Sequence, residues 1–186
     1  MQWLYNAVKI VFVLVLLPGC SNKVEPRKPI TNSSSSTIEQ SIEDNKKRYA
    51  AEEKAIEKIL ETIDTTRTYQ RSANGFYYTF IRKDSTNGDF PKFGDRVTFE
   101  YDAVALNGDT IYTKEELSPI TKSLDQEYGI FRGMRASLKL MKTGDEMIVY
   151  FPSYAAYGYY GDNNRIGANT PFKSRVKLLG INLEEK

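Results

Sequence analysis

An α+β fold is predicted for this 186-residue chain: an antiparallel sheet curled around one short helix, with a long helix ahead of it. Three observations predict it. Val97, Phe99, Tyr101 and Ala103 alternate with Thr98, Glu100 and Asp102, the period of a half-buried strand. Phe131, Met134, Leu138 and Met141 fall at helical spacing, with strand-like runs on both sides of them. Ser36 to Thr65 contains no Pro or Gly and is dominated by Ala, Glu, Lys and Ile, all but Ile strong helix formers.

The first residues read as an address rather than as part of the fold. Lys9 precedes the unbroken apolar run Ile10 to Leu17. Such a run is too short to span a bilayer, which needs about 20 residues, but it suits the hydrophobic part of a secretory signal. Leu17-Pro18-Gly19-Cys20 follows and resembles a bacterial lipobox. Residues 1–19 are therefore predicted to be a leader, and Cys20, the single cysteine, the lipidated first residue after cleavage. Several acyl chains would hold the protein on a membrane, since one alone binds marginally. The alternative is a simple secretory signal or uncleaved anchor with a chance cysteine. Residues 20–37, with two prolines and four consecutive serines, are too polar to bury a core, and read as a tether. No acidic cluster follows Cys20, which points to a periplasm-facing domain in the cell envelope, on the outer membrane rather than the inner.

Residues 38–68 form the next unit. Ser36-Thr37-Ile38-Glu39 fits a capping box with Ser36 as N-cap. Ile42, Tyr49, Ile56 and Ile63 recur every seven residues, and Ile38 and Ile59 fit a companion position that Asn45 and Glu52 interrupt. The stripe suits either a homodimer through residues 38–65 or packing of the helix on its own domain.

From residue 72 to 186 the pattern is that of a sheet domain. Ala73 to Ile81 is aromatic and β-branched, and Lys83 to Asp89 is a loop. Phe93-Gly94-Asp95 turns into a strand over 96–104, Asn107-Gly108 is a hairpin signal, and Thr110 to Thr113 is the returning strand. A short helix over 131–141 ends at Gly144-Asp145, and strands follow over 146–151 and 175–183.

Composition excludes several chemistries. With no histidine there is no His general base, no Ser-His or Cys-His nucleophile, and little scope for a zinc site. One cysteine excludes an intramolecular disulfide. No glycine-rich phosphate loop follows a strand, and a net charge of +2 gives no support for nucleic-acid binding. Neither a metal nor a cofactor is expected. What is plentiful is aromatic surface, with 13 Tyr and 9 Phe. That suits work by shape and apolar contact, unless the rings are ordinary sheet filler.

The order and spacing of several short motifs resemble the FKBP-type peptidyl-prolyl cis/trans isomerases from about Ala73 to Leu183. They include Asn74-Gly75-Phe76-Tyr77, Gly94-Asp95-Arg96-Val97, Asn107-Gly108-Asp109, Phe131-Arg132-Gly133, Ala156-Tyr157-Gly158 and Val176-Lys177-Leu178-Leu179. Within that family the chain looks most like the lipid-anchored members associated with gliding motility in Bacteroidetes. The resemblance implies an FKBP-like fold and an isomerase that assists folding of envelope or secreted proteins, in gliding motility or secretion. Its partners would be proline-containing polypeptides. The alternative is an FKBP-like binding or chaperone module with little turnover.

The resemblance also implies a site. Tyr101, Phe131 and Tyr157 would be catalytic: Tyr101 along the wall, Phe131 with its side chain in the pocket and its N–H offered to a substrate carbonyl, Tyr157 offering its hydroxyl. Ile130 would flank Phe131, Met134 would floor the pocket where many members have Trp, and Ile166 would close the far rim. Plain core packing is the alternative for Tyr101, Phe131 and Met134. Three departures stand out. Ile111-Tyr112 replaces a Phe-Asp pair whose acid orients a neighbouring tyrosine, Ile120 stands where a Phe is usual, and Ser174 stands where an aromatic usually helps fill the pocket. Ile111, Tyr112 and Ile120 remain substrate-binding candidates; the changes imply weaker catalysis. Arg132, Arg135 and Lys139 read as a solvated helix face.

Overall fold

The computed structural model of the protein describes residues 34–83, 88–117, 119–125 and 129–182. The predicted leader, Cys20, the tether up to residue 33 and part of the predicted 83–89 loop lie outside them. The chain separates into two compact units, residues 1–38 and 39–186. Of the first, only 34–38 are described, as the opening of the long helix.

That helix, α1, runs Ser34–Thr62, so Ser36 lies inside it rather than capping it. It ends ahead of Thr65 because the Ile63 and Asp64 N–H groups both turn back to the Ile59 carbonyl, at 2.8 and 3.0 Å. Asp64 then faces inward. Its carboxylate accepts the Tyr69 hydroxyl, the Tyr150 hydroxyl at 3.2 Å and the Lys173 ammonium at 3.5 Å. Burial alone would raise the Asp64 pKa, but the Tyr69 bond and the Lys173 charge outweigh it and hold it below the ordinary value.

Strands β1 (Gln70–Arg71), β2 (Tyr77–Arg82), β3 (Arg96–Tyr101), β4 (Ala103–Ala105), β5 (Thr110–Tyr112), β6 (Ile120–Ser123), β7 (Glu146–Phe151) and β8 (Phe172–Ile181) make one antiparallel sheet. Its order is β1-β2-β7-β8-β3-β6, with β4 paired to β5 and β8. Two short helices interrupt them, α2 (Lys114–Leu117) and α3 (Arg132–Leu138). The mixed order of strands and the single core helix are those predicted. The Asn107-Gly108 hairpin forms, with Gly108 at φ 97°, a conformation L side chains rarely adopt.

Four local readings are corrected. The strand over 96–104 is broken at Asp102, whose carboxylate accepts the Arg175 N–H at 2.7 Å and so stands between β3 and β4. No strand is predicted over Ile120–Ser123, where three of the four residues are polar, yet β6 pairs with β3 through Phe99↔Ile120 to Arg96↔Ser123. Helix α3 ends before Met141 because the Leu140 and Met141 N–H groups tighten onto the Ser137 and Leu138 carbonyls at 3.0 Å each. Strand β8 begins at Phe172, not Arg175.

The core lies between α3 and the inner face of the sheet. It holds Phe76, Val97, Phe99, Met134, Leu138, Met141, Phe151, Phe172, Val176 and Leu178, all nearly or fully buried. A second, smaller cluster lies on the other face, where Ile56 of α1 packs on Tyr77, Ile148 and Tyr150. That cover explains why β7 reads as a continuous apolar run instead of an alternation: it is buried on both faces. The α1 stripe is therefore split. Ile56 is fully buried on its own sheet, while Ile38, Ile42 and Ile63 are 57, 50 and 75% exposed.

Candidate active site

Alternation along β3 turns Tyr101 inward with Val97 and Phe99. Phe131 occupies the N-cap of α3 in an extended conformation, φ −70° and ψ 158°, so its own N–H precedes the helical ladder. The turn before it is tied down by Arg135, whose guanidinium donates to the Ile130 carbonyl at 2.7 and 3.0 Å. Arg135 is thus half-buried support rather than the solvated residue predicted. Lys139 pairs with Asp125 at 2.9 Å.

Tyr157 arrives on the segment after β7. Pro152 ends that strand, and a tight turn over Ser153–Ala155 folds the chain back. The Ser153 carbonyl accepts the N–H of Ala156 at 3.0 Å and of Gly158 at 2.8 Å, bracketing Tyr157. Further on, Gly161 adopts φ 68°, and a Cβ there would lie 2.3 Å from the Ile166 carbonyl oxygen, so only glycine fits.

The three predicted catalytic side chains converge. The Tyr101 and Tyr157 hydroxyls are 3.3 Å apart. The Phe131 ring centroid is 4.9 Å from that of Tyr157 and 6.5 Å from that of Tyr101. Tyr101 is buried, while Phe131 and Tyr157 are half-buried against the core and reach the surface. Burial, followed by the neighbouring Tyr157, holds the Tyr101 hydroxyl well above the ordinary phenol pKa. Burial also raises that of Tyr157, against the hydrogen bond from Tyr101 and with the help of the Asp162 charge. Both phenols are therefore neutral O–H groups at physiological pH, able to donate a hydrogen bond.

The other predicted residues divide into two groups. Ile130, Met134, Ile166 and Tyr112 belong to the buried cluster, at 3, 1, 2 and 7% exposure. Ile111 and Ile120 are half-buried beside it.

Sequence reasoning missed three contributors. Phe172, one alternation ahead of Ser174 on the same face of β8, supplies a ring the Ser174 position lacks. Its centroid lies 5.8 Å from Phe131 and 6.3 Å from Tyr157. An earlier start to the last strand, at Phe172 after Pro171, would have found it. Phe151 stands edge-on to Phe131 at 5.0 Å. The third is an acid. Tyr112 replaces the expected carboxylate, and its hydroxyl donates to Asp162 Oδ2 at 2.5 Å. Asp162 Oδ1 accepts the N–H of Asn164 at 2.8 Å and of Ile166 at 2.9 Å. The acid is thus delivered from the loop, and Arg165 closes the cluster with its guanidinium 4.1 Å above the Tyr112 ring and paired to Glu116 at 2.9 Å. Nothing local in Gly161-Asp162-Asn163-Asn164 signals this role.

A cavity of about 450 Å³ lies on the outer side of the strands, lined by Glu100, Asp102, Lys114, Glu146, Arg175 and Lys177. Its charges pair with one another, as in Lys114 with Glu100 at 3.4 Å and Arg175 with Glu146. None of Tyr101, Phe131 and Tyr157 lines this cavity. Among the described residues no group of His, Cys, Asp and Glu is placed to hold a metal ion, and no helix is long and apolar enough to cross a membrane.

An antiparallel sheet packed on one short helix, with neutral aromatic side chains gathered at that helix's N-cap, defines an FKBP-like fold. Residues 88–179 match the FKBP-type peptidyl-prolyl cis-trans isomerase family. A probable FKBP-type peptidyl-prolyl cis-trans isomerase, FkpA, of Neisseria meningitidis serogroup B is 31% identical over 116 residues, 61% of this chain and 40% of that protein. The chain thus spans two fifths of that relative's length. Two solved structures share the fold. FkpA from Escherichia coli superposes with a TM-score of 0.58 at 20% identity, covering 97% of this chain and 81% of that one. A peptidyl-prolyl cis-trans isomerase from Pseudomonas syringae pv. tomato superposes at 0.56 and 22% identity, covering 71% and 94%.

Proposed function

We propose that the protein is a peptidyl-prolyl cis-trans isomerase acting on proline-containing polypeptides of the cell envelope. The observation that carries this reading is the convergence of Tyr101, Phe131 and Tyr157 on one another, with the two hydroxyls 3.3 Å apart. The X–Pro bond resists rotation by about 18–20 kcal/mol because the amide is conjugated. No covalent step is needed to speed it. A site must bind the twisted amide, in which conjugation is lost, better than either planar form. A wall of Tyr101, Phe131, Phe151 and Phe172 excludes water and favours the less dipolar twisted form. The neutral Tyr157 hydroxyl holds a flanking carbonyl, and Ile111 and Ile120 supply aliphatic contact. The test is an exchange assay on several proline peptides. Wild type accelerates exchange, and Tyr157→Phe and Phe131→Ala each lower kcat/KM by about 10-fold or more, on the scale of one lost oriented contact. Absence of acceleration by wild type on all peptides removes the proposal.

The residues ahead of the fold extend this reading. We take residues 1–19 as a leader, Cys20 as a lipid anchor and 20–37 as the tether to the 38–68 helix and the 72–186 isomerase domain. The apolar Ile10–Leu17 run and Leu17-Pro18-Gly19-Cys20 support it. The anchor would place the domain on the outer membrane facing the periplasm, serving secretion or gliding motility. Fatty-acid labelling in cells, lost in Cys20→Ser, checks the anchor. Exposed Ile38 and Ile42 support self-association through the free part of the α1 stripe.

A second reading is a binding module with little turnover. It is favoured by Ile111-Tyr112, which removes both the ring and the strand-borne acid of the family pattern. A Phe131→Ala variant that has lost exchange activity yet restores a deletion strain would decide for it.

A further inference from the structure

Glu52 is an acid in the apolar stripe of α1, and only 8% of it is exposed. A buried carboxylate on a surface helix is costly unless its oxygens are satisfied, and both of its oxygens are. Glu52 Oε2 accepts the Ser153 N–H and Oε1 the Ser153 Oγ–H, each at 2.8 Å. Ser153 is itself fully buried. Its carbonyl is the acceptor for the N–H groups on either side of Tyr157. The next residue repeats the arrangement: the Tyr154 hydroxyl donates to Glu53 at 2.6 Å, and the Tyr49 ring stands 4.9 Å from that of Tyr154.

We infer that α1 is a working part of the isomerase site, and that Glu52 is a positioning residue which sets Tyr157 through Ser153. The inference rests on the isomerase reading above for its effect on turnover, but not for its effect on geometry. The path is short. Glu52 grips Ser153 by N–H and hydroxyl, Ser153 grips Ala156 and Gly158, and Tyr157 between them meets Tyr101. The Asn169 N–H to Gly158 carbonyl bond, at 2.7 Å, pins the far side of the same residue pair. Removing the Glu52 contact frees one end of this span and leaves the other fixed, so Tyr157 swings about Gly158. A misplacement on the order of 1 Å can cost about 100-fold in rate; the partial loosening expected here costs about 10-fold.

Glu52→Leu separates this role from a structural one. Leucine keeps α1 docked through Ile56 but leaves the buried Ser153 N–H and hydroxyl without their acceptor, so earlier unfolding is expected in either case. A purely structural role predicts that loss with unchanged turnover of the folded protein and unmoved Tyr157 signals. Glu52→Gln keeps an oxygen for the Ser153 N–H and offers its amide to Ser153 Oγ, so it is the rescuing variant. Both are made in the full chain, with Glu43→Ala, exposed and far along the helix, as a control. Urea unfolding, proline-peptide exchange and the ring resonances of Tyr157 are measured. The expected result is a Leu variant that still folds but unfolds earlier than wild type, exchanges about 10-fold more slowly under conditions where it is folded and shows shifted Tyr157 signals, with Gln returning turnover and signals to wild-type values. A Leu variant with wild-type turnover and unmoved Tyr157 signals overturns the inference, as does a loss of turnover that Gln fails to restore. If wild type itself does not turn over, the isomerase reading fails. The Tyr157 resonances then judge the positioning role alone: shifted by Leu and restored by Gln, it stands; unmoved, it falls.

Discussion

Asp162→Asn is the sharpest probe of how the acid reaches this site. The two backbone donors, Asn164 and Ile166, bond to Oδ1, while the Tyr112 hydroxyl bonds to Oδ2. An asparagine that keeps its oxygen at Oδ1 preserves both loop bonds and converts only the second oxygen into a donor. The perturbation is therefore confined to Tyr112. A hydrogen bond to a charged acceptor is worth about 1.5–3 kcal/mol, and a neutral one about 1 kcal/mol. The amide can donate to the Tyr112 oxygen in its turn, so the net loss is about 1–2 kcal/mol. At 1.4 kcal/mol per factor of ten, turnover falls by roughly 5- to 30-fold if the Tyr112 contact is fully expressed in the working site. Urea unfolding and the exchange assay are run on Asp162→Asn, Tyr112→Phe and the double variant. One shared bond predicts that the double variant loses little more than either single. Losses that add to within about 0.3–0.5 kcal/mol would mean that the residues act independently, and the account of a loop-borne acid serving Tyr112 would be wrong.

The remaining predictions are more direct. Phe172→Ala removes a fully buried ring that touches Phe131, Phe151 and Tyr157; about 3–5 kcal/mol of stability is expected to go, read by urea unfolding, with exchange activity falling too. Gly133→Ala should destabilise although alanine favours helix by about 1 kcal/mol, because its Cβ would lie 2.6 Å from the Ala155 carbonyl oxygen and 2.8 Å from the Phe151 ring; a raised melting temperature would contradict this. Ser174→Ala should be neutral or stabilising by up to about 1 kcal/mol, since Ser174 Oγ is buried without a hydrogen-bond partner among the described residues. Stability should fall at alkaline pH. Burial, aided at each by a neighbouring acid or tyrosine, raises the phenols of Tyr69, Tyr77, Tyr101, Tyr150 and Tyr154 above their unfolded value, Tyr77, Tyr150 and Tyr154 to about 12. The unfolded chain then releases protons first, so the stability present below pH about 10 is lost as pH rises toward the folded values. Unfolding midpoints between pH 8 and 12 check the sign, and Tyr150→Phe should flatten the decline.

How much of this was legible in the chain follows from the range of each interaction. The strands with clean alternation, Val97 to Tyr101 and Phe172 to Leu178, carry a period-2 signal in their own residues, as does the 3.6 period of Phe131, Met134 and Leu138. Strand β6 carries no such signal, because an edge strand of mixed polarity is defined by its partner β3 rather than by its own sequence. Motif order placed Tyr101, Phe131 and Tyr157 as candidates, and they do meet. It did not include Phe172, although the alternation of β8 runs back to that residue, which pairs with Phe151 of β7. Nor could it reveal that Arg135 folds back onto Ile130, because a helix face alone does not say which long side chain finds an acceptor.

Periodicity, turn residues and composition act within a few positions, and on their own they specified a sheet around one helix, a helix before it, and a chain without histidine. The pairs that set the site's geometry join residues far apart: Tyr112 to Asp162 across 50 positions, Glu52 to Ser153 across 101. Such contacts exist only once the backbone has closed. Desolvation then makes an acid in an apolar stripe, or an acid in a polar turn, favourable solely because a donor waits opposite it.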